Sequence, residues 1–180
     1  QETTDLAPTV ERELVEKPAF KTSGCRFDTN DYSEVICGSV QVPEDRSDLQ
    51  SRTISLHLAI FKSHSSNPED DPVVYLEGGP GGYALKLVPL IYEHTIAPFL
   101  SKRDFVIFDQ RGVGYSEPSL QCSEIPTLLY ELLDRILDDD EELERTKSAL
   151  KTCRARLTAS GVNIQAYTSS ENAADLAHIK

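Results

Sequence analysis

The chain has 180 residues, 39% hydrophobic and 27% charged, with 30 acidic and 18 basic side chains and a net charge of −12. That length and mix fit one globular domain with a core of useful size. The negative balance argues against nucleic acid or an anionic membrane as partner, and no apolar run approaches the roughly 18–20 residues of a membrane span.

Residues 1–19 are polar, carry two prolines and read as a loosely held arm; with the next few residues they form an extended N-terminal segment, 1–24. The first residue is Gln1, not Met. A mature secreted protein that has lost its signal peptide would begin like this, and so would a trimmed chain. Val35 to Val42 alternate well enough for a strand, ended by the turn-forming run Pro43-Glu44-Asp45-Arg46-Ser47-Asp48. Thr53 to Phe61 is a second strand with Ile54, Leu56, Leu58 and Ile60 on one face. Ser63 to Pro72 is polar and proline-bearing, a surface loop. Val73–Leu76 is short and fully apolar, the kind of strand found inside a parallel sheet.

Tyr83 to Leu100 reads as helical, with Pro89 and Pro98 near ends or kinks. Phe105–Phe108 is the next buried strand, so residues 73–108 form a βαβ unit with a right-handed crossover. From Thr127 to Leu157 the pattern is helical again. Leu128, Leu129, Leu132, Leu133, Ile136 and Leu137 form an apolar stripe, continued in a second helix by Leu143, Leu150 and Leu157. A last helix starts near Glu171, capped by Ser169 or Ser170, and holds Ala173, Ala174, Leu176, Ala177 and Ile179. No internal repeat is present.

Asp138-Asp139-Asp140-Glu141-Glu142 reads as a solvated helix start or loop; it lacks the spaced ligands and turn glycine of a calcium loop. The four cysteines contain no Cys-x-x-Cys pair, which speaks against a zinc or redox motif. They fall into two separated pairs, Cys25 with Cys37 and Cys122 with Cys153, and this is the simplest connectivity among the three that four cysteines allow. Disulfides imply an oxidising compartment; buried free thiols are the alternative.

Val73-Val74-Tyr75-Leu76-Glu77-Gly78-Gly79-Pro80-Gly81-Gly82 is an apolar strand running into a glycine turn. Acyl transfer needs a nucleophile, a base and an oxyanion hole. Such a turn suits the last role, because glycines let backbone N–H groups approach a ligand closely. A tight strand-to-helix turn without catalytic role is the equal alternative. Gly78 and Gly79 are the candidate oxyanion donors, Gly79 ahead because it directly precedes the stiff Pro80. A second unit, Phe105 to Ser116, ends in Asp109-Gln110-Arg111-Gly112-Val113-Gly114-Tyr115-Ser116. Asp109 and Arg111 are expected to pair and pin this loop at the carboxyl edge of the sheet, where ligands bind. Its glycines do not follow a dinucleotide-binding pattern. Ser116 is not a nucleophile elbow, since Pro118 stands where the second glycine belongs, and no Gly-x-Ser-x-Gly segment occurs. His57 is expected to face solvent, and His57, His64, His94 and His178 read as surface or packing residues with no metal-pair spacing.

The two glycine-bearing units resemble the oxyanion loop and the following D-x-R-G-x-G-x-S loop of proline-iminopeptidase-type serine hydrolases, which are α/β-hydrolases. Cys37-Gly38-Ser39-Val40-Gln41-Val42-Pro43-Glu44-Asp45-Arg46-Ser47 resembles the N-terminal strand of their secreted tripeptidyl-aminopeptidase-like branch. Asn172-Ala173-Ala174-Asp175-Leu176 resembles the helix leading into that branch's nucleophile strand. The likeness runs from about Cys25 to the end of the chain. It implies an α/β fold over 25–180: the N-terminal half of a hydrolase sheet, antiparallel strands first, then parallel strands with crossover helices. It implies Ser-Asp-His hydrolysis of peptide N-termini or small esters and amides, no cofactor and no metal, and the same disulfide pairing. Glu77, Pro80, Asp109 and Arg111 would organise the loops. Glu77 stands where many members have histidine; a backbone donor at Gly78 or Gly79 can still serve.

In that family the serine, aspartate, histidine and cap domain follow the last helix seen here. The resemblance therefore implies that this chain is completed by a second chain or nicked fragment carrying the nucleophile. A parent protein cut after Lys180 would explain this, and a truncated sequence would look identical. A non-catalytic binding module that keeps the glycine turn only for shape is the rival reading.

Overall fold

The structure, a computed structural model, describes residues 20–32, 34–79 and 81–179. Pro80, Lys180 and the arm up to residue 19 lie outside the described residues. One mixed sheet has the strand order β1-β2-β3-β5-β4, with β1 Lys21–Thr22, β2 Val35–Pro43, β3 Thr53–Phe61, β4 Val73–Tyr75 and β5 Phe105–Phe108. The first three strands and the β3–β5 pair are antiparallel; β4 and β5 are parallel. Four of the strands stand where hydrophobic periodicity puts them. β1 is an addition inside the segment expected to be an extended arm, and the strand after residue 72 stops at Tyr75, one residue short of expectation.

β5 is buried along its whole length because both faces of the sheet are covered. On one face Phe105 and Ile107 join Ala59, Phe61, Leu85, Val88, Ile96 and Leu100. On the other, Val106 and Phe108 join Val42, Ile54, Leu56 and Leu58, with Leu176 and Ile179 packed against them. The crossover segment therefore covers the first face and the last helix covers the second. Period-two alternation along β3 feeds both layers.

The crossover departs from the single helix expected over 83–100. It runs as a tight turn Ala84–Leu87, the α-helical turn α1 Val88–Ile91, a widened turn Tyr92–Ile96 and a second tight turn Ala97–Ser101. The prolines account for this. Pro98 lacks an N–H and cannot continue the α pattern, while the Ala97 N–H reaches five residues back to the Tyr92 carbonyl.

The expected long helical region is two helices, α2 Glu124–Leu132 and α3 Asp139–Ala159. Asp138 caps α3, its Oδ1 accepting the Glu141 N–H at 2.8 Å, and the acidic run lies in the first turn, where it complements the helix dipole. The apolar stripe is not buried as its pattern suggests. Leu129, Leu133, Ile136, Leu143 and Leu150 are exposed, and α2 buries no residue, because α2 packs on α3 with no further layer over it among the described residues. Cys153 and Leu157 do pack inward, with Val162. The disulfides are Cys25–Cys37 and Cys122–Cys153. The second ties the entry of α2 to α3 beside a bidentate Arg156–Glu124 pair. No described helix is long and apolar enough to cross a membrane.

The last helix, α4, spans Ser169–Ile179. Its cap is Thr168, one residue earlier than expected: Thr168 Oγ1 accepts the Glu171 N–H at 3.3 Å. Glu44, only 2% exposed at the end of β2, ties this region to the sheet. Its carboxylate accepts from Arg52 Nη2 at 2.8 Å, from the Tyr167 hydroxyl at 2.9 Å and from the Asn163 N–H at 3.3 Å. Burial alone would push the Glu44 carboxyl up, but the bonds from Arg52, Tyr167 and Asn163 outweigh it and hold it below the ordinary carboxylate range. A carboxyl lowered on folding contributes stability above its unfolded pKa and loses that contribution as pH falls through its folded pKa. Glu44→Gln is therefore expected to cost roughly 2 kcal/mol at pH 7. In thermal melts the gap to wild type should close below about pH 4. A gap independent of pH would show that the charge of Glu44 is not what holds the junction.

Candidate functional site

Two loops leave the carboxyl ends of the parallel strands β4 and β5 and stand side by side. In the first, Gly79 and Gly81 have φ of +72° and +83°, a left-handed conformation that costs glycine least. The Gly82 N–H closes the turn on the Gly79 carbonyl at 3.2 Å. A side chain at Gly78 or Gly79 would meet open space, and both residues are exposed. The Gly79 N–H has no protein acceptor among the described residues. The Gly78 N–H does: it donates to Oε1 of Glu77 at 3.0 Å, while Oε2 of Glu77 accepts the Tyr75 hydroxyl at 2.7 Å. The hydrogen bond to that carboxylate pushes the Tyr75 phenol up.

Asp109 directly follows β5 and is fully buried. Its Oδ1 accepts the Leu85 N–H at 3.0 Å, just beyond the glycine loop, and its Oδ2 accepts the Tyr115 N–H at 2.8 Å, in the second loop. One carboxylate thus holds both loops. Gly114, at φ +58°, allows this approach: a Cβ there would collide with Asp109 Oδ2. Burial pushes the Asp109 carboxyl up, opposed by the N–H groups of Tyr115, Leu85 and Ala84. Ser116 is buried as well. Its hydroxyl donates to the Asp109 carbonyl at 2.6 Å and accepts the His57 N–H at 3.0 Å, which makes it a structural bridge. His57 is half-buried rather than fully solvent-facing, and desolvation lowers its pKa.

The expected Asp109–Arg111 pair does not form. Asp109 is satisfied by backbone N–H groups, and Arg111 turns instead to α4. The Arg111 guanidinium, on a residue 3% exposed, forms a two-pronged pair with Asp175, Nε to Oδ2 and Nη2 to Oδ1, both at 2.7 Å. Nη1 also donates to the Glu44 carbonyl at 2.6 Å and the Ala166 carbonyl at 2.9 Å. Asp175, fully buried, accepts from Arg46 Nη2 at 2.7 Å too, and Arg46 pairs with Glu171. Arg111 thus joins its loop to α4 through Asp175. Sequence reasoning assigned no role to Asp175, Arg46 or Glu44. The available signal was the i, i+4 spacing of Glu171 and Asp175, which puts two carboxylates on one face of α4.

These contacts frame a cleft of about 640 Å³. Its walls include Gly79 and Tyr83 from the first loop, Gly112 from the second, and Tyr167 and Asn172 at the start of α4. Among the described residues no histidine lines it. A backbone N–H beside such a cleft can stabilise a developing oxyanion.

No protein-family model matches the chain. It is 40% identical over 73 residues to a probable proline iminopeptidase of Leptolyngbya boryana, covering 41% of this chain and 21% of that protein. It is 31% identical over 112 residues to carboxylesterase B of Mycobacterium tuberculosis, 58% of this chain and 21% of the relative. It is 32% identical over 97 residues to the tripeptidyl aminopeptidase of Streptomyces lividans, 52% of this chain and 18% of the relative. These relatives are hydrolases. The chain matches only about a fifth of the length of each, and the likeness, with a mixed sheet of α/β character, supports a hydrolase relationship at the level of the α/β-hydrolases.

Because Asp109 fastens both loops, Asp109→Asn is expected to cost about 2 kcal/mol in chemical denaturation, since an amide turns a donor toward one of two backbone donors. Unchanged stability would show that the loops are held by other contacts.

Proposed function

We propose that this chain is the N-terminal part of an α/β-hydrolase catalytic domain and supplies the oxyanion loop of a secreted serine hydrolase acting on peptide N-termini or small amides and esters. The observation that carries the reading is the exposed glycine loop after a parallel strand, with Gly79 lining the cleft and its N–H without an acceptor among the described residues. In such a reaction a serine attacks the scissile carbonyl with histidine as base, and the oxygen becomes an anion. One N–H of the glycine loop and the N–H following the serine then hold it. Each such donor is worth about 10²–10³ in kcat.

The nucleophile, base and acid lie outside this chain in this reading. β4 forms one end of the described sheet, so a further parallel strand carrying the nucleophile would add at its free edge. That strand comes from a second chain or from a continuation of the same polypeptide. The two disulfides favour an oxidising, extracellular setting.

The test is exposure of the purified protein to a fluorophosphonate, followed by denaturing, non-reducing intact-mass analysis. An adduct on polypeptide associated or continuous with this chain is the expected result. An unlabelled protein with no such segment would make it a non-catalytic binding module built on a hydrolase-like fold.

A further inference from the structure

We propose that Glu77 is a positioning residue of the oxyanion loop: its carboxylate engages the Gly78 N–H and leaves the Gly79 N–H as the donor that faces the reacting carbonyl. This rests on the hydrolase reading above and narrows it from two candidate donors to one.

The geometry is a two-point clamp. Oε1 accepts the Gly78 N–H at 3.0 Å and Oε2 accepts the Tyr75 hydroxyl at 2.7 Å. The clamp therefore joins the last residue of β4 to the first glycine of the loop. Tyr75 is itself anchored, its ring stacked on Phe105 of the core at 6.5 Å between centroids. The side chain lies over its own loop, with Cγ at 3.0 Å from where a Cβ on Gly82 would be. Its glycine neighbours leave room for this fold-back.

Energetics favour the division of labour. An N–H bonded to an ionised carboxylate is held by a charge-assisted bond about twice as strong as a neutral one. A neutral substrate carbonyl competes poorly for it. Gly79, with no acceptor among the described residues, has no such competitor there. The same clamp solves an electrostatic problem. A free carboxylate on this loop would repel a developing oxyanion, whereas one fixed on two donors has its charge partly neutralised and its position set. Tyr75 and Gly78 together supply those donors.

The experiment uses the full-length protein with Glu77→Ala, Glu77→Gln and Tyr75→Phe. Amide hydrogen exchange reads the clamp without reference to catalysis. Gly78 is expected to exchange more slowly than Gly79 in the wild type, and the two to converge in Glu77→Ala. Steady-state kinetics read the positioning role. Glu77→Ala is expected to lower kcat about 10-fold or more with KM changed less than about 2-fold. Glu77→Gln should restore most of kcat, because its amide oxygen still accepts the Gly78 N–H, and Tyr75→Phe should fall between. Equal exchange at Gly78 and Gly79 in the wild type overturns the clamp. Slower exchange at Gly78 than at Gly79 in the wild type, together with an unchanged kcat in Glu77→Ala, overturns the positioning role. A protein with no hydrolase activity overturns the functional reading instead, and the exchange contrast then decides the clamp alone.

Discussion

The site depends on one buried carboxylate with no ion-pair partner among the described residues. Asp109 sits directly after β5 with three backbone N–H groups around it, from Ala84, Leu85 and Tyr115. Burying such a group is unfavourable by itself and pushes its pKa up, and the directed donors offset part of that cost. The geometry is demanding, so the interaction specifies position as much as it adds stability. It fixes the first turn after the glycine loop against the second loop, so two segments that share no regular secondary structure hold one shape. Gly114 is the local adaptation that lets the carboxylate approach.

A second buried network sets the third wall of the cleft. Arg111, Asp175, Arg46 and Glu171 draw α4 onto the end of β2 and the second loop. Each partner is bonded more than once, which a buried charge requires. Glu44, Arg52 and Tyr167 form a neighbouring junction a few residues away. The buried carboxylates of Glu44 and Asp175 are matched by Arg52, Arg46 and Arg111, whereas Asp109 is held by backbone N–H groups. Arg111 is the residue that links loop, sheet end and helix.

What could be read from the sequence follows from how local each cause is. β2, β3 and β5 follow from alternation or a continuous apolar run, and the disulfides from cysteines lying near each other in the chain. The glycine loop announces itself through Gly78, Gly79, Gly81 and Gly82. Causes that act across the fold were not legible. Asp109 and Arg111 are two residues apart and of opposite charge, yet they point to different sides of their loop and find partners at Leu85 and Asp175. The stripe from Leu128 to Leu137 is a helical period, but α2 stops at Leu132 and Leu129, Leu133 and Ile136 are exposed, because burial is set by packing and not by period. The crossover was readable as helical but not in its broken form, since the widened turn before Pro98 comes from one missing N–H in a packed context. Glu77 was legible as a loop residue. Its hold on Gly78 needed the geometry.

The most direct test of the account is residue-resolved amide hydrogen exchange at Leu85 and Tyr115. Neither N–H is paired within a strand or a preceding helical turn; each is bonded to Asp109. If the buried carboxylate organises the site, both exchange on the timescale of core amides such as that of Ile107. If they exchange as fast as an exposed loop amide such as that of Asp70, Asp109 does not hold the two loops together and the account of the site fails.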